Sequence, residues 1–194
     1  METSAPLHAV RHEVVRVSID VKQPYEDFRR RYEEHVPAWP DARFSEMIKH
    51  GAGWDKIVAE AEIASPVGLF TFWRRDTTEF MKLVGAQWKS TSYLIGTSII
   101  AERLYISDPA VMSVVPFHVS ISVGGDGATR FTLIQPSTLL SSFDAPIFAA
   151  TGQRVDARFA DLLSRLGAPG IFGESSSVPL PQLIQGHPAA SDVT

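Results

Sequence analysis

From His12 to Val21 the chain alternates. Glu13, Val15, Val17, Ile19 and Val21 fall on one face, and His12, Val14, Arg16, Ser18 and Asp20 on the other. A period of two with β-branched side chains predicts a half-buried strand. Pro24 then suits the first turn of a helix, with Glu26 and Asp27 near the positive end of its dipole. Tyr25, Phe28, Tyr32 and His35 follow at helical spacing, and Pro37 and Pro40 end the element. Residues 41–65 carry a second helical pattern broken at Gly51 and Gly53, with Trp54, Ile57, Val58, Ala61 and Ile63 as its apolar stripe. Ser65-Pro66 stops it.

Leu69 to Trp73 reads as a strand, Thr78 to Val84 as a short helix closed by Gly85, Trp88 to Ile95 as a strand, and 97–106 as a short helix with Ile99, Ile100 and Leu104 inward. The clearest signal is a hairpin. Val115, Phe117, Val119, Ile121 and Val123 alternate with Pro116, His118, Ser120 and Ser122, Gly124-Gly125-Asp126-Gly127 turns the chain, and Arg130 to Gln135 returns. The last helix is predicted from Ala145 to Leu166, with Ile147, Ala150, Thr151, Val155, Phe159, Leu162 and Leu166 in one stripe and Gly167 closing it. Residues 1–7 read as a frayed end and 168–194 as a Pro/Ser-rich tail, leaving 8–167 as a single domain. This order of elements predicts an α+β fold: a mostly antiparallel sheet with helices packed on one face.

Composition narrows the chemistry. With 194 residues, 44% of them hydrophobic and 21% charged, the chain can build one core without metal or disulfide support. The absence of cysteine removes disulfides, thiolate metal sites and thiol nucleophiles. The net charge is −4, and the basic run Arg29-Arg30-Arg31 is flanked by Glu26, Asp27, Glu33 and Glu34. No basic stripe is present for nucleic acid to follow. No apolar run reaches the roughly 18 residues of a membrane span, and residues 1–7 lack a secretory pattern. The expected setting is the cytoplasm, with neither nucleic acid nor membrane as a partner and no cofactor.

From Leu69 through Leu166 the chain resembles the domain of unknown function 302 family. The resemblance rests on the strand ending in Arg75-Asp76, the short helix closing on Gly85, and the strand running into Ile95-Gly96-Thr97-Ser98. It continues through the helix Ile99 to Tyr105, the run Asp108-Pro109-Ala110 to Pro116, the hairpin with its Gly-Asp-Gly turn, and the final amphipathic helix. Residues 12–36 fit the family's opening, and 38–65 look like an insertion. The resemblance implies a compact α+β fold similar to the TATA-binding-protein-like class. It implies little chemistry. Thr77 stands where many relatives carry His, and Gly96-Thr97-Ser98 where others carry Asn-Pro, so no shared site is carried over.

Candidate chemistry is sparse. The histidines at 8, 12, 35, 50, 118 and 187 form no HExxH or HxH pattern, so no metal site is expected, although His12 and His118 could meet across the sheet. No serine sits in GxSxG, and Ser137, Ser141 and Ser142 read as turn formers. Asp76, Glu79, Glu102 and Asp144 are candidate acid–base groups, each with a solvated surface position as the plainer alternative. Glu102 and Arg103 follow Ile99-Ile100 beside the Gly96 turn, where they could flank a pocket mouth.

The aromatics say more. Leu69 to Trp73 is bulky on both faces, and a sheet covered on one side should not be. Another part of the chain, a second copy, or a ligand cavity could supply the cover. A pocket between the sheet and 41–65 would be lined by Trp54, Trp73 and Trp88, with Tyr93 and Arg103 at its polar end. That arrangement would make the protein a binder of apolar small molecules, or a cofactor-independent cyclase or isomerase with Glu102, Arg103, Tyr93 and Asp76 as weak catalytic candidates. The alternative is a non-enzymatic homodimeric interaction module, favoured if 41–65 packs solidly.

Overall fold

The computed structural model describes residues 8–168. Five strands, β1 (Arg16–Val21), β2 (Phe70–Asp76), β3 (Lys89–Gly96), β4 (Phe117–Val123) and β5 (Thr129–Ile134), form one antiparallel sheet in the order β1-β5-β4-β3-β2. Tyr93 and Ile95 on β3, Phe117, Val119 and Ile121 on β4, and Phe131 and Leu133 on β5 are buried, while the residues between them are not. Two helices cover this apolar face: α1 (Tyr25–His35), through Tyr25, Phe28 and Tyr32, and the long C-terminal helix, through Phe148, Val155, Phe159 and Leu162. The fold is therefore α+β, with the main helices on one face of the sheet. The opposite face carries a row of short polar side chains, Ser18, Thr132, Ser120 and Ser92, in register from β1 to β3.

β1 is shorter than the alternation from His12 suggests. Its partner β5 ends at Ile134, so residues 12–15 have no strand to pair with, and Val15 is held instead by its carbonyl, which accepts from the Gln135 amide at 2.8 Å, and by its amide, which donates to the Thr138 hydroxyl at 3.1 Å. Val15 is exposed in consequence. β5 ends there because Gln135-Pro136 opens a short helix that the sequence reading treats as a turn, α6 (Pro136–Leu140).

The remaining helices are α2 (Asp41–Lys49), α3 (Trp54–Ala64), α4 (Thr78–Lys82), α5 (Ser98–Ser107) and α7 (Pro146–Arg165), with a 3-10 turn at Pro109–Ser113. α2 and α3 build a second, smaller core in which Phe44, Ile57 and Ala61 close on Phe70, with Trp39, Met47 and Trp54 at its margin. Ile63, expected on the inward stripe of α3, is exposed instead, because the buried stripe is Ile57, Val58 and Ala61. The chain entering α2 also covers the start of β2. The Trp39 amide donates to the Thr71 carbonyl and the Thr71 amide to the Pro37 carbonyl, at 2.9 and 2.8 Å. The Trp39 ring stacks against both Phe44 and Phe72. This part of the chain thus supplies the cover for Phe70 that the bulky strand requires.

Polar contacts fix how the helices join. The buried Asp156 of α7 accepts from the Ser137 amide at 3.1 Å, the Ser137 hydroxyl at 2.5 Å and the Gln135 side chain at 2.8 Å. A carboxylate here satisfies the free Ser137 amide at the start of α6. Gly152, one turn earlier, lets the two helices touch: a Cβ at this position would lie 2.5 Å from Ser137 Cα. At the other end of α7, Gln23 and Arg31 donate to the Leu166 and Arg165 carbonyls, which a helix cannot satisfy itself.

Glycine inside a helix is ordinarily improved by alanine, by about 0.5–1 kcal/mol. Gly152→Ala should reverse that sign and destabilise the protein by about 1–3 kcal/mol in urea denaturation, because the added methyl meets backbone that cannot yield cheaply.

Candidate functional site

An apolar cleft of about 210 Å3 lies at the end of the sheet where β3 leaves it and β4 enters. Phe72 of β2 forms one wall, at the irregularity where pairing with β3 shifts between Thr71 and Trp73. Gly96 and Thr97 carry the chain from β3 into α5, which adds Ile100, Ala101 and Leu104. Met112 comes from the 3-10 turn, Val115 and Pro116 from the segment before β4, joined by a cis peptide, and Phe117 from β4 itself. Val155 of α7 closes the inner side. The cleft exists because residues 97–116 are too many for a tight turn between adjacent strands. They arch over the sheet end, and Ile100, Leu104 and Val111 anchor them to the core.

None of the eleven lining residues carries an ionisable side chain, and the Thr97 hydroxyl is the sole side-chain hydrogen-bonding group among them. Such a surface can hold an apolar molecule by shape and desolvation. Among the described residues no group of three or more His, Asp or Glu side chains could hold a metal ion. No helix in this region is long and apolar enough to cross a membrane.

The residues singled out from the sequence are dispersed. Trp54 belongs to the small core under α2 and α3. Trp73 is 44% exposed at the edge of the sheet, in register with Leu94 on β3. Trp88 is 64% exposed near the Gly125 turn. Arg103 and Glu102 are half-buried on α5, outside the cleft lining. Asp76 accepts from the Thr78 amide at the start of α4 and lies 3.6 Å from Arg29. Burial alone would raise its carboxyl, but the Thr78 hydrogen bonds and the Arg29 and Arg74 guanidiniums hold it below the usual aspartate range. His118 is exposed on the polar face, and His12 precedes β1 without a strand partner.

Tyr93 is fully buried beneath α1. Its hydroxyl donates to Glu33 Oε1 at 2.8 Å, and Arg74 Nε contacts the same oxygen at 2.8 Å. Tyr32 packs 4.8 Å from it between ring centres, with a buried hydroxyl that has no hydrogen-bond partner among the described residues. These groups clamp α1 to β2 and β3. The cleft residues Phe72, Thr97, Met112 and Pro116 escaped the sequence reading. The one signal for them was the apolar run from Ala110 to Pro116, which fits neither helical nor strand periodicity.

No protein-family model matches the chain, and no curated protein matches it. Among solved structures it is similar to one described as an uncharacterized conserved protein DUF302 from Bacillus stearothermophilus. The two share 15% sequence identity with a TM-score of 0.55, over 78% of this chain and 97% of the other. The likeness shows the DUF302-like α+β fold that the sequence resemblance implies, and it is a likeness of fold alone.

Burial raises the phenols of Tyr32, Tyr93 and Tyr25 above their ordinary value of 10.0. In Tyr93 the hydrogen bond to Glu33 adds to the effect, and in Tyr25 one with Thr91 opposes it. The unfolded chain ionises these groups near 10.0, and the folded chain resists. Their stabilisation is therefore intact below that pH and falls away as pH rises beyond it. In an alkaline absorbance titration the phenolate signal of these three residues should appear together with unfolding, not as separate earlier steps.

Proposed function

We propose that the protein binds an apolar small molecule in the cleft between α5, the 3-10 turn and the sheet end. The observation that carries this reading is the lining itself: a preformed concavity walled by Phe72, Ile100, Leu104, Met112, Pro116 and Val155, with no charged side chain. An apolar cavity of roughly 150 Å3 accommodates benzene, so about 210 Å3 suits a molecule of one to two rings. The site differs from the tryptophan-lined pocket anticipated under residues 41–65, and its chemistry is binding by shape. Cyclase or isomerase activity would need the bound molecule itself to supply reactive groups, since the lining offers no acid or base.

Ala101→Phe fills the cleft from the α5 side. It should abolish chemical-shift changes that naphthalenemethanol produces at Ile100, Leu104 and Met112 while leaving the thermal unfolding midpoint within a few degrees. Unaltered shifts in that variant would place the ligand elsewhere.

A second reading, the homodimeric interaction module, is the one favoured by the packing of residues 41–65 as a small core against Phe70, and one surface feature adds to it. The β2–β3 connection exposes Phe80, Leu83, Val84 and Trp88, with Leu83 81% exposed. A contiguous apolar tip of this kind suits contact with another protein surface. Native mass spectrometry of the natural chain and of Leu83→Glu separates the two readings: a dimer lost in the variant supports the module.

A further inference from the structure

We infer that β1 is an interface on which a second copy of this chain pairs edge to edge, antiparallel about Ser18, so that two five-stranded sheets run on into one. β1 and β2 are the two edges of the sheet. The start of β2 is covered, because the Thr71 amide and carbonyl are bonded to Pro37 and Trp39. β1 has no strand beside it among the described residues. The Val15 carbonyl faces β5, where it accepts from the Gln135 amide, and the pairing runs without a shift from Arg16 to Val21. By the alternation of an antiparallel ladder, the amides and carbonyls of Val17, Ile19 and Val21 also face β5. Those of Arg16, Ser18 and Asp20 face the open side, as a row of donors and acceptors. Natural edges are ordinarily blunted by proline or by a charge on the inner face. β1 reads Arg-Val-Ser-Ile-Asp-Val and has neither, since Arg16 and Asp20 lie on the outer face.

The edge is complementary to itself. With Ser18 on a two-fold axis, Arg16 stands opposite the partner's Asp20, and each outward amide of the row meets an outward carbonyl. Among the described residues Arg16 has no ion-pair partner, and the Asp20 side chain, 68% exposed, has room for a second cation beside Arg130. An axis at Ile19 would set Arg16 against the partner's Lys22, and one at Val17 would set Asp20 against the partner's Val14, so charge selects Ser18. The inner face agrees. Val17 and Ile19 are half-buried, whereas Val119, Ile121, Phe131 and Leu133 further into the sheet are fully buried, so the covering helices stop short of this edge. In the Ser18 register Val17 lies against the partner's Ile19, and Val15, 48% exposed, against the partner's Val21. The contact buries β-branched side chains that one chain alone leaves in water.

This contact is independent of the cleft and lies on a different surface from the apolar tip between β2 and β3, so Leu83→Glu should leave it intact. Sedimentation equilibrium of the full chain should show a dimer. Arg16→Asp sets two carboxylates against each other at each end of the contact, and Asp20→Arg two guanidiniums. Each should raise the dimer dissociation constant about tenfold or more. An equimolar mixture of the two variants restores opposite charges in both pairs and should form a heterodimer of nearly natural affinity. Both positions are exposed, and Arg130 keeps Asp126 when Asp20 is replaced, so the thermal unfolding midpoints should hardly move. In the natural chain the Arg16, Ser18 and Asp20 amides should exchange hydrogen slowly at high protein concentration and rapidly on dilution. That readout needs no variant and decides if one fails to fold. A monomer at every concentration overturns the inference, as does a dimer that Leu83→Glu abolishes and Arg16→Asp spares. Single variants that weaken the dimer without recovery in the mixture refute the Ser18 register. Protection of the three amides that persists on dilution means that the chain covers its own edge, which also overturns the proposal.

Discussion

The apolar side chains of β1, β3, β4 and β5 point to one side of the sheet, and burial of that face under α1 and α7 is the constraint to which the rest of the structure answers. Phe28 and Tyr32 from α1 meet Phe131 and Tyr93 from the strands, and Phe159 and Leu162 from α7 close the same core. Truncating an aromatic in such a layer costs about 3–5 kcal/mol, comparable with much of a domain's net stability. The strand order and register must keep these residues on the inner face, because a slip of one residue would turn them outward. The hydroxyl row on the opposite face follows from the same alternation.

Polar groups then decide how the covering helices sit. Hydrophobic burial is indifferent to small rotations, whereas a buried carboxylate is not. Asp156 fixes α7 against α6 by accepting three hydrogen bonds, and Gly152 permits the close approach that those bonds require. Glu33 fixes α1 against the sheet by receiving both Tyr93 and Arg74. Arg158 extends α7 to the Val67 carbonyl at 3.0 Å, ahead of the small core under α2 and α3. Among the candidate residues Tyr93 is used in this way, whereas Trp73 and Trp88 are exposed.

The cleft arises from a different necessity. β4 and β5 are joined by a tight glycine turn, with Gly127 at φ +74°, and leave no space between them. β3 and β4 are also adjacent and antiparallel but are joined through α5 and the 3-10 turn. A helix spanning the end of a sheet meets it with a curved surface, and its inner side chains do not fill the corner completely. Phe72 and Pro116 line that corner together with Ile100, Ala101 and Leu104 of α5.

Local pattern determined much of this protein. The alternation of Phe117 to Val123, the glycine turn, the stripe of α7 and the proline-bounded α1 are all legible because each depends on neighbours in the chain. The breaks at Gly51 and Gly53 separate α2 from α3 for the same reason. What tertiary structure decided lies where distant segments meet. Val15 is exposed because β5 turns away at Gln135, Trp54 is held in a side core because Phe70 faces it, and Trp73 and Trp88 are exposed. Residues 1–7 and 169–194, read as a frayed end and most of a tail, lie outside the described residues. The cleft joins residues from Phe72 to Val155, and no spacing along the chain encodes that meeting. It depends on strand order and on the length of one connection, and both are set by the whole sheet finding its cover.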